Sequence, residues 1–442
     1  MNSSLYIHIP FCRQKCDYCD FFSIAEKDRK GKQNDVSDGY ISAVLNEARF
    51  YAELYEIERW RSIYLGGGTP GILSGNQLFD LISGVFKIAL NPEKCEITVE
   101  VNPENVSEEK IRILEKAGAN RISMGIQALD DKALRAVNRK SDVKTVLNAL
   151  SLLGKFWNGR LSVDFIAGLP GQTYKSFESQ FKILDDFKKI DHVSLYTLTV
   201  EENTPLWKKI EDGKVRFSQD KADKMWIFGR NILEKKGFFQ YEISNFARPG
   251  FESVHNSSYW KQKNYIGAGS GAVGTVYDFD SKTALRWTNT LSVAAYVDFW
   301  EKFEKSRIFG SKDFELSFGL KDGKKQSFNS DKFGLKDNEK PESPESFSNE
   351  FQKIRKTENL DEETLEFEFL MTGFRMTKGV SSKDFFERFG KHLEERIGAE
   401  NAVFARWKKK RLACAEKRGD DTIYFLNRRG ILFLNQFLEE LI

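Results

Sequence analysis

The sequence predicts an α/β fold, a partial (β/α)6 barrel of the TIM type with a smaller helix-rich C-terminal domain. Two observations support this. The chain has 442 residues, more than one ordinary domain needs. Through its first half, six short apolar runs alternate with amphipathic stretches, which is the βαβ pattern of a parallel sheet. The six strand-like runs are Leu5–Ile9, Arg61–Leu65, Glu96–Val101, Arg121–Ile126, Leu161–Ile166 and His192–Leu198.

Amphipathic stretches of helical length separate these runs. A helix between two parallel strands supplies the crossover that such strands need. Six consecutive units therefore predict a barrel or partial barrel, whose active site would lie in the loops after the strands. The predicted helices are Tyr40–Tyr55, Asn76–Ile88, Glu108–Ala117, Val143–Leu153 and Ser176–Phe187.

Changes in composition divide the rest of the chain. We assign residues 1–235 to the barrel and 236–310 to a segment that flanks it. Residues 311–357 form a low-complexity insertion in which FGLKD occurs twice, a pattern that predicts weak order. Residues 358–442 form the C-terminal domain, with one short strand candidate at Thr422–Leu426.

Charge and hydropathy exclude several classes of protein. The 68 basic and 65 acidic residues give a net charge of +3, which provides no electrostatic case for nucleic-acid binding. No apolar stretch is long enough to span a membrane, and the first residues lack the features of a signal peptide. We therefore expect a cytoplasmic protein. The basic run Arg406–Arg411 could touch an anionic membrane surface, although a solvated helix face is the favoured interpretation.

Three of the five cysteines lie within eight residues, directly after the first predicted strand. Cys12, Cys16 and Cys19 have the spacing C-x₃-C-x₂-C. Structural zinc prefers four nitrogen or sulfur ligands, so a zinc site would need His8 as the fourth. An iron–sulfur cluster held by three thiolates instead leaves one iron open to a small molecule. Clustered thiols in a reducing compartment more often bind metal than form disulfides. We favour the cluster over zinc, because only three cysteines lie together and His8 precedes them within a strand-like run.

Polar and glycine residues follow or end several other predicted strands. Gly66–Pro70 (GGGTP) follows the second strand, Glu100 and Asp164 lie on the third and fifth, and Gln127 ends the fourth. Each alone is explained as well by a flexible turn or by a satisfied polar group. Together, at corresponding places along successive strands, they predict one shared site.

The cysteine spacing resembles that of the radical S-adenosylmethionine (SAM) proteins, whose [4Fe-4S] cluster binds SAM through the open iron. The segments YIHIPFC, GGGTP, EVNP, RISMGIQ, VNR and DFIAGLPGQT further resemble the branch that contains the oxygen-independent coproporphyrinogen dehydrogenase and a heme chaperone. This resemblance implies a radical SAM barrel in which Arg139 faces the SAM carboxylate and Gly68 and Thr69 its amino group. The implied SAM-contacting residues are Tyr6, Gly67, Gly68, Thr69, Glu100, Gln127, Arg139 and Asp164.

Two departures favour the chaperone over the dehydrogenase. The dehydrogenase pattern continues to a fourth cysteine, where this sequence has Phe21, and we expect its long N-terminal arm to be absent here. The resemblance also implies that the HNxxYW stretch binds heme through His255, Tyr259 and Trp260, since histidine is a common axial ligand of heme iron. The alternative for this stretch is an ordered connection with an aromatic anchor.

The resemblance and these departures together imply a chaperone that binds heme, a [4Fe-4S] cluster and SAM and delivers heme to respiratory hemoproteins. The alternative is a coproporphyrinogen III dehydrogenase, an enzyme that converts propionates to vinyl groups. A radical SAM enzyme that modifies another substrate is a weaker third reading.

Overall fold

The computed structural model describes residues 1–28, 38–89, 95–308, 350–397 and 403–441. Both FGLKD copies and most of the predicted low-complexity insertion lie outside these residues. The main feature of the described chain is a twelve-stranded sheet whose central strands are parallel and follow the chain order. The first six strands are β1 Asn2–Ile9, β2 Arg59–Gly67, β3 Glu96–Val101, β4 Arg121–Gln127, β5 Arg160–Ala167 and β6 Ile190–Thr197.

These six strands confirm the predicted parallel series and the α/β fold class. Each predicted run lies within, or shifted by a residue or two from, the observed strand. The parallel register joins Tyr6 to Tyr64 and Tyr64 to Thr98, so corresponding positions on successive strands lie side by side. Alternate side chains point into the barrel and outward to the helices, which explains why the strands are buried on both faces.

The helices of the barrel begin and end at recognisable caps. Ser74 and Gln77 form a reciprocal capping box at the start of one helix, and Gly118 ends another in the left-handed conformation. The single helix predicted at Ser176–Phe187 is instead two short helices, because the chain turns at Phe181. The helices are α1 Asp38–Leu54, α2 Gly75–Ile88, α3 Glu108–Ala117, α4 Asp131–Ala136, α5 Val143–Phe156, α6 Tyr174–Gln180, α7 Ile183–Asp186, α8 Pro205–Glu211 and α9 Gln219–Lys235.

Five strands of the flanking segment, and a sixth that spans the assigned boundary between residues 357 and 358, extend the same sheet at both edges, which the sequence did not predict. The extending strands are β7 Phe239–Gln240, β8 Asn245–Ala247, β9 Tyr265–Ala268, β10 Val273–Asp278, β11 Thr283–Asn289 and β12 Arg355–Leu360, with helices α10 Val254–Trp260 and α11 Val293–Ile308. The order is β12-β11-β10-β9-β1-β2-β3-β4-β5-β6-β8-β7. Strand β9 lies parallel to β1, so the first strand is internal rather than an edge.

The C-terminal part has its own apolar core and a three-stranded sheet of order β13-β15-β14. One of these strands covers the predicted Thr422–Leu426, and the other two were not predicted. The elements are α12 Glu362–Arg375, β13 Val380–Ser381, α13 Ser382–Phe389, α14 Leu393–Ile397, α15 Val403–Lys409, β14 Ala413–Arg418, β15 Asp421–Leu426 and α16 Leu434–Glu439. Among the described residues, no helix combines the length and the apolar character that a membrane span requires.

Candidate functional site

The three clustered cysteines line a single cavity of about 370 Å³ at the carboxyl end of the parallel strands. Cys12 follows β1 directly, and its Sγ lies 3.5 Å from the hydroxyl of Thr69 in the loop after β2. Cys16 is buried, whereas Cys19 is partly exposed. The loop therefore presents three thiols to one enclosed volume at the end of the barrel where active sites form.

The stretch Val137–Arg139, which follows α4, fastens this cysteine loop to the barrel. The Val137 carbonyl accepts from the Asp17 amide at 3.0 Å. Asn138, at φ +56°, donates to the Lys15 carbonyl at 3.2 Å and accepts from the Gln14 side chain at 2.6 Å. Asn tolerates the left-handed conformation better than most residues, so its position here has a local physical reason.

The GGGTP loop holds the other side of the cysteine loop by backbone pairing. The Gly68 amide donates to the Ile9 carbonyl at 2.9 Å, and the Thr69 amide donates to the Phe11 carbonyl at 2.8 Å. A Cβ on Gly68 would lie 2.8 Å from both of these carbonyl oxygens. Gly67, at φ +107°, faces the ring of His8 in the same way. Glycine is thus required at residue 68 because two backbones touch there, and at residue 67 because of the positive φ and the adjacent His8 ring.

Arg139 connects three parts of the cavity wall through its hydrogen bonds. Its guanidinium donates to the Gly125 carbonyl at 2.5 Å, to the Asn102 side-chain oxygen at 2.7 Å and to the Cys16 sulfur at 3.4 Å. The Asn102 amide group in turn donates to Thr69 at 3.1 Å. The Nε of Arg139 is buried without a partner among the described residues.

Two carboxyl groups lie deeper in the barrel, on β3 and β5. Glu100 accepts from the Tyr64 hydroxyl at 2.7 Å, and burial raises its pKa to about 7. Asp164 accepts from Ser123 at 3.3 Å, and burial also raises its pKa. Their oxygens are able to accept hydrogen bonds from hydroxyl or amine groups of a ligand, and such bonds would offset part of the desolvation.

Of the predicted SAM-contacting residues, seven line the cavity with the cysteines, but Tyr6 does not. Tyr6 lies below the cavity, where its hydroxyl is 3.0 Å from His8 Nδ1, and the other His8 nitrogen is 3.0 Å from the Phe22 carbonyl. The sequence reasoning missed Asn102, Ser123 and Tyr196, which also line the cavity. Asn102 could have been predicted as a site residue, because it directly follows the third strand just as Gly68 directly follows the second.

The chemistry of the cavity fits a cluster and SAM. Burial raises the pKa of the Cys12 thiol and raises that of Cys19 to about 11, so neither ionises readily alone. Coordination to iron supplies the positive charge that stabilises a thiolate. Within the described ranges, no three side chains are close enough to hold a single metal ion.

The HNxxYW stretch lies elsewhere, on α10 at the amino end of the strands. His255 is buried, with Nδ1 2.9 Å from Ser62 Oγ and Nε2 2.8 Å from the Tyr259 hydroxyl. Burial lowers the pKa of His255 to about 3, so the ring is neutral. The face of Trp260 is covered by the Arg375 guanidinium at 4.9 Å. In this arrangement both nitrogens of His255 have protein partners, and the ring does not line the cysteine cavity.

The partial barrel and its three-cysteine loop together define a radical SAM protein. The family model for the radical SAM superfamily matches residues 6–184, and that for the HemN C-terminal domain matches residues 360–433. The chain belongs to the HemW family of this superfamily. The superfamily implies a [4Fe-4S] cluster and SAM.

Curated relatives carry the family assignment. The heme chaperone HemW of Bacillus subtilis (strain 168) is 30% identical over 395 residues, which cover 88% of each chain. The heme chaperone HemW of Lactococcus lactis is 36% identical over 273 residues, which cover 62% of this chain and 69% of that protein. Among solved structures, coproporphyrinogen III oxidase (HemN) from Escherichia coli superposes with a TM-score of 0.72 over 99% of this chain and 89% of that chain. At 18% identity, this likeness shows the fold alone.

Proposed function

We propose that this chain is a cytoplasmic heme chaperone that binds heme, a [4Fe-4S] cluster and SAM and passes heme to respiratory hemoproteins. The observation that carries the proposal is the likeness to HemW of Bacillus subtilis along 88% of both chains. The position after the third cysteine supports it, because Phe21 stands where the dehydrogenase pattern has a fourth thiol. Its side chain is 67% exposed at the edge of the cavity.

In the proposed site, Cys12, Cys16 and Cys19 would hold the cluster, whose chemistry when bound would be the supply of an electron to SAM. The chain's own groups define where SAM lies. Arg139 donates to the Cys16 sulfur, and its guanidinium suits the SAM carboxylate. Gly67, Gly68, Thr69 and Gln127 line the adjoining wall, and Glu100 and Asp164 accept from hydroxyl or amine groups.

A coproporphyrinogen III dehydrogenase is the second candidate, because the sequence motifs resemble the branch that contains this enzyme and the HemN C-terminal domain model matches residues 360–433. The two functions make different demands. An enzyme must align the reacting carbon to within about an ångström, since a misplacement of that size reduces the rate about a hundredfold. A chaperone needs only a heme site that can be loaded and emptied.

Anaerobic reconstitution with heme and with coproporphyrinogen III in parallel separates these candidates. We expect about four irons and four sulfides per chain, heme binding, and no protoporphyrinogen IX even with SAM and a reductant. The triple variant Cys12→Ala/Cys16→Ala/Cys19→Ala should lose the cluster, whereas Cys95→Ala/Cys414→Ala should keep it. Multiple turnovers to the vinyl product would overturn the chaperone. Stoichiometric zinc without sulfide would overturn the cluster.

A further inference from the structure

A second cavity, of about 300 Å³, lies at the opposite end of the barrel from the cysteines. We call it the basal pocket. Arg61 and Arg160 reach it from the amino ends of β2 and β5, Lys261 and Lys263 follow α10, and Lys378 follows α12. The barrel, the helix that carries HNxxYW and the C-terminal part thus contribute five cations to one concave surface.

Most of these cations have no anionic partner. Within the described ranges, no ion pair is formed by Arg61, Lys261, Lys263 or Lys378. Arg160 is paired with Glu96 at 3.1 Å, and its Nε is buried without a partner. One carboxylate, that of Glu252, also lines the pocket. Burial and then the nearby charges of Lys378, Lys263 and Arg61 lower the pKa of Lys261, although Asp384 opposes this. An anion in the pocket would relieve this repulsion.

Apolar side chains accompany the cations, together with three serines that also line the pocket. Val254 lines the pocket and is 40% exposed. Phe251, which precedes the lining residue Glu252, is 39% exposed, and the Arg160 guanidinium lies 5.4 Å from its ring centre. The buried Met376 also lines the pocket. Cations next to exposed apolar side chains are complementary to a ligand that carries anionic groups on one edge of a flat apolar body.

We propose that the basal pocket binds the two propionate groups of heme, while the macrocycle lies outside it against Phe251 and Val254. The inference rests on the proposed function, because heme is the ligand in both. The volume supports edge binding, since it is at the lower limit of roughly 300–1,000 Å³ for pockets that enclose a drug-sized ligand. The placement also leaves His255 in its hydrogen bonds to Ser62 and Tyr259, so α10 supplies a surface for heme rather than an iron ligand from that histidine.

The test is a heme titration of the reconstituted protein, followed by its absorption spectrum. Lys261→Glu/Lys378→Glu should weaken heme binding at least about tenfold, because each lost charge-assisted bond is worth at least that much. Lys261→Met/Lys378→Met should weaken it less, since repulsion is not added. The matched control Lys408→Glu/Lys409→Glu makes the same charge change on an exposed helix and should bind heme as the wild type does.

Heme dimethyl ester provides the second arm, because it has the macrocycle without the anionic edge. The wild type should bind heme more tightly than the diester, and this preference should disappear in both pocket variants. Equal binding of heme and diester by the wild type would overturn the inference. So would equal weakening in the pocket and control variants.

A third arm uses sedimentation with anionic phospholipid vesicles. If the pocket variants lose vesicle binding but keep the heme affinity of the wild type, the pocket binds lipid headgroups, and the proposal that it binds heme propionates is wrong. Heme binding that survives in the pocket variants overturns this inference alone. A wild type that binds no heme overturns both this inference and the proposed function.

Discussion

Replacing Gly68 by alanine tests how the cysteine loop is held. The added Cβ would lie 2.8 Å from the Ile9 carbonyl oxygen, 2.8 Å from the Phe11 carbonyl oxygen and 2.9 Å from the Phe11 nitrogen. All three atoms belong to the backbone, so no side chain can rotate away. The two segments must therefore separate, and the loop that carries Cys12 must move.

The magnitude follows from the contacts that are lost. Overpacking in a closely packed region costs about 1–3 kcal/mol. Separation also weakens two backbone hydrogen bonds, Gly68 to Ile9 at 2.9 Å and Thr69 to Phe11 at 2.8 Å, each worth about 1 kcal/mol. We expect Gly68→Ala to lower the free energy of unfolding by about 2–4 kcal/mol and to lower the amount of iron retained after reconstitution.

The assay is urea unfolding of the barrel, followed by the fluorescence of its buried tryptophans, with iron and sulfide counted on the reconstituted protein. Gly154→Ala is the matched control. It lies within α5, and its Cβ would meet nothing closer than 4.0 Å. Alanine is the better helix former by about 0.5–1 kcal/mol, so the control should be slightly stabilised and should keep its cluster. If Gly68→Ala unfolds at the wild-type urea concentration and holds the wild-type amount of iron, the backbone contact does not hold the loop.

Three further predictions follow from other contacts. Arg139→Ala should weaken SAM binding at least about tenfold and should also reduce cluster retention, because the guanidinium donates to Cys16 as well as to Asn102. Calorimetry measures SAM affinity and iron content measures cluster retention; replacing the exposed Arg135 by alanine should change neither quantity. Glu47→Gln should flatten the pH dependence of stability. Burial raises the Glu47 pKa to about 7, so the folded wild type binds the proton more tightly than the unfolded chain does. The free energy of unfolding of the wild type should therefore fall by roughly 3 kcal/mol between pH 4.5 and 7, whereas that of the variant should not. Equal changes in the free energy of unfolding of the two proteins between pH 5 and pH 8, measured with urea, would contradict this. His255→Ala should destabilise the protein by about 2–4 kcal/mol, because it opens a cavity and takes away the partner of the Tyr259 hydroxyl, whereas Ser62 keeps its bond to Ser4. It should leave the Soret band of bound heme unchanged; a shifted band would make His255 an iron ligand after all.

The barrel was predictable because each strand is a short apolar run between amphipathic helices, a pattern that local sequence records. The gathering of Glu100, Gln127 and Asp164 at one site was predictable for the same reason, since parallel strands end at one edge. The pairing of β9 with β1 was not, because Tyr265–Ala268 is a four-residue strand and its partner lies far away in sequence. Local patterns carry no information on such a partner.

The roles of individual side chains were less predictable than their location. Arg139 was expected to face SAM, yet its bonds to Gly125 and Asn102 depend on a loop geometry that residue type alone does not reveal. For His255, the family resemblance implied heme binding, whereas the residue types of HNxxYW allowed an ordered connection equally well. Its burial follows from Ser62, on a distant strand, which offers a partner for its ring.

The pairing of β1 with β9 has a consequence for synthesis. Chain elongation delivers Tyr265 only after some 260 residues have followed Ser4, its partner in the sheet. Until then the strand that leads into the cysteine loop presents an unpaired row of amide and carbonyl groups on one side, a surface that recruits other strands. A nascent chain that received its iron early would carry the metal beside this open edge, so assembly of the metal centre is safest after the second half of the chain has closed the sheet.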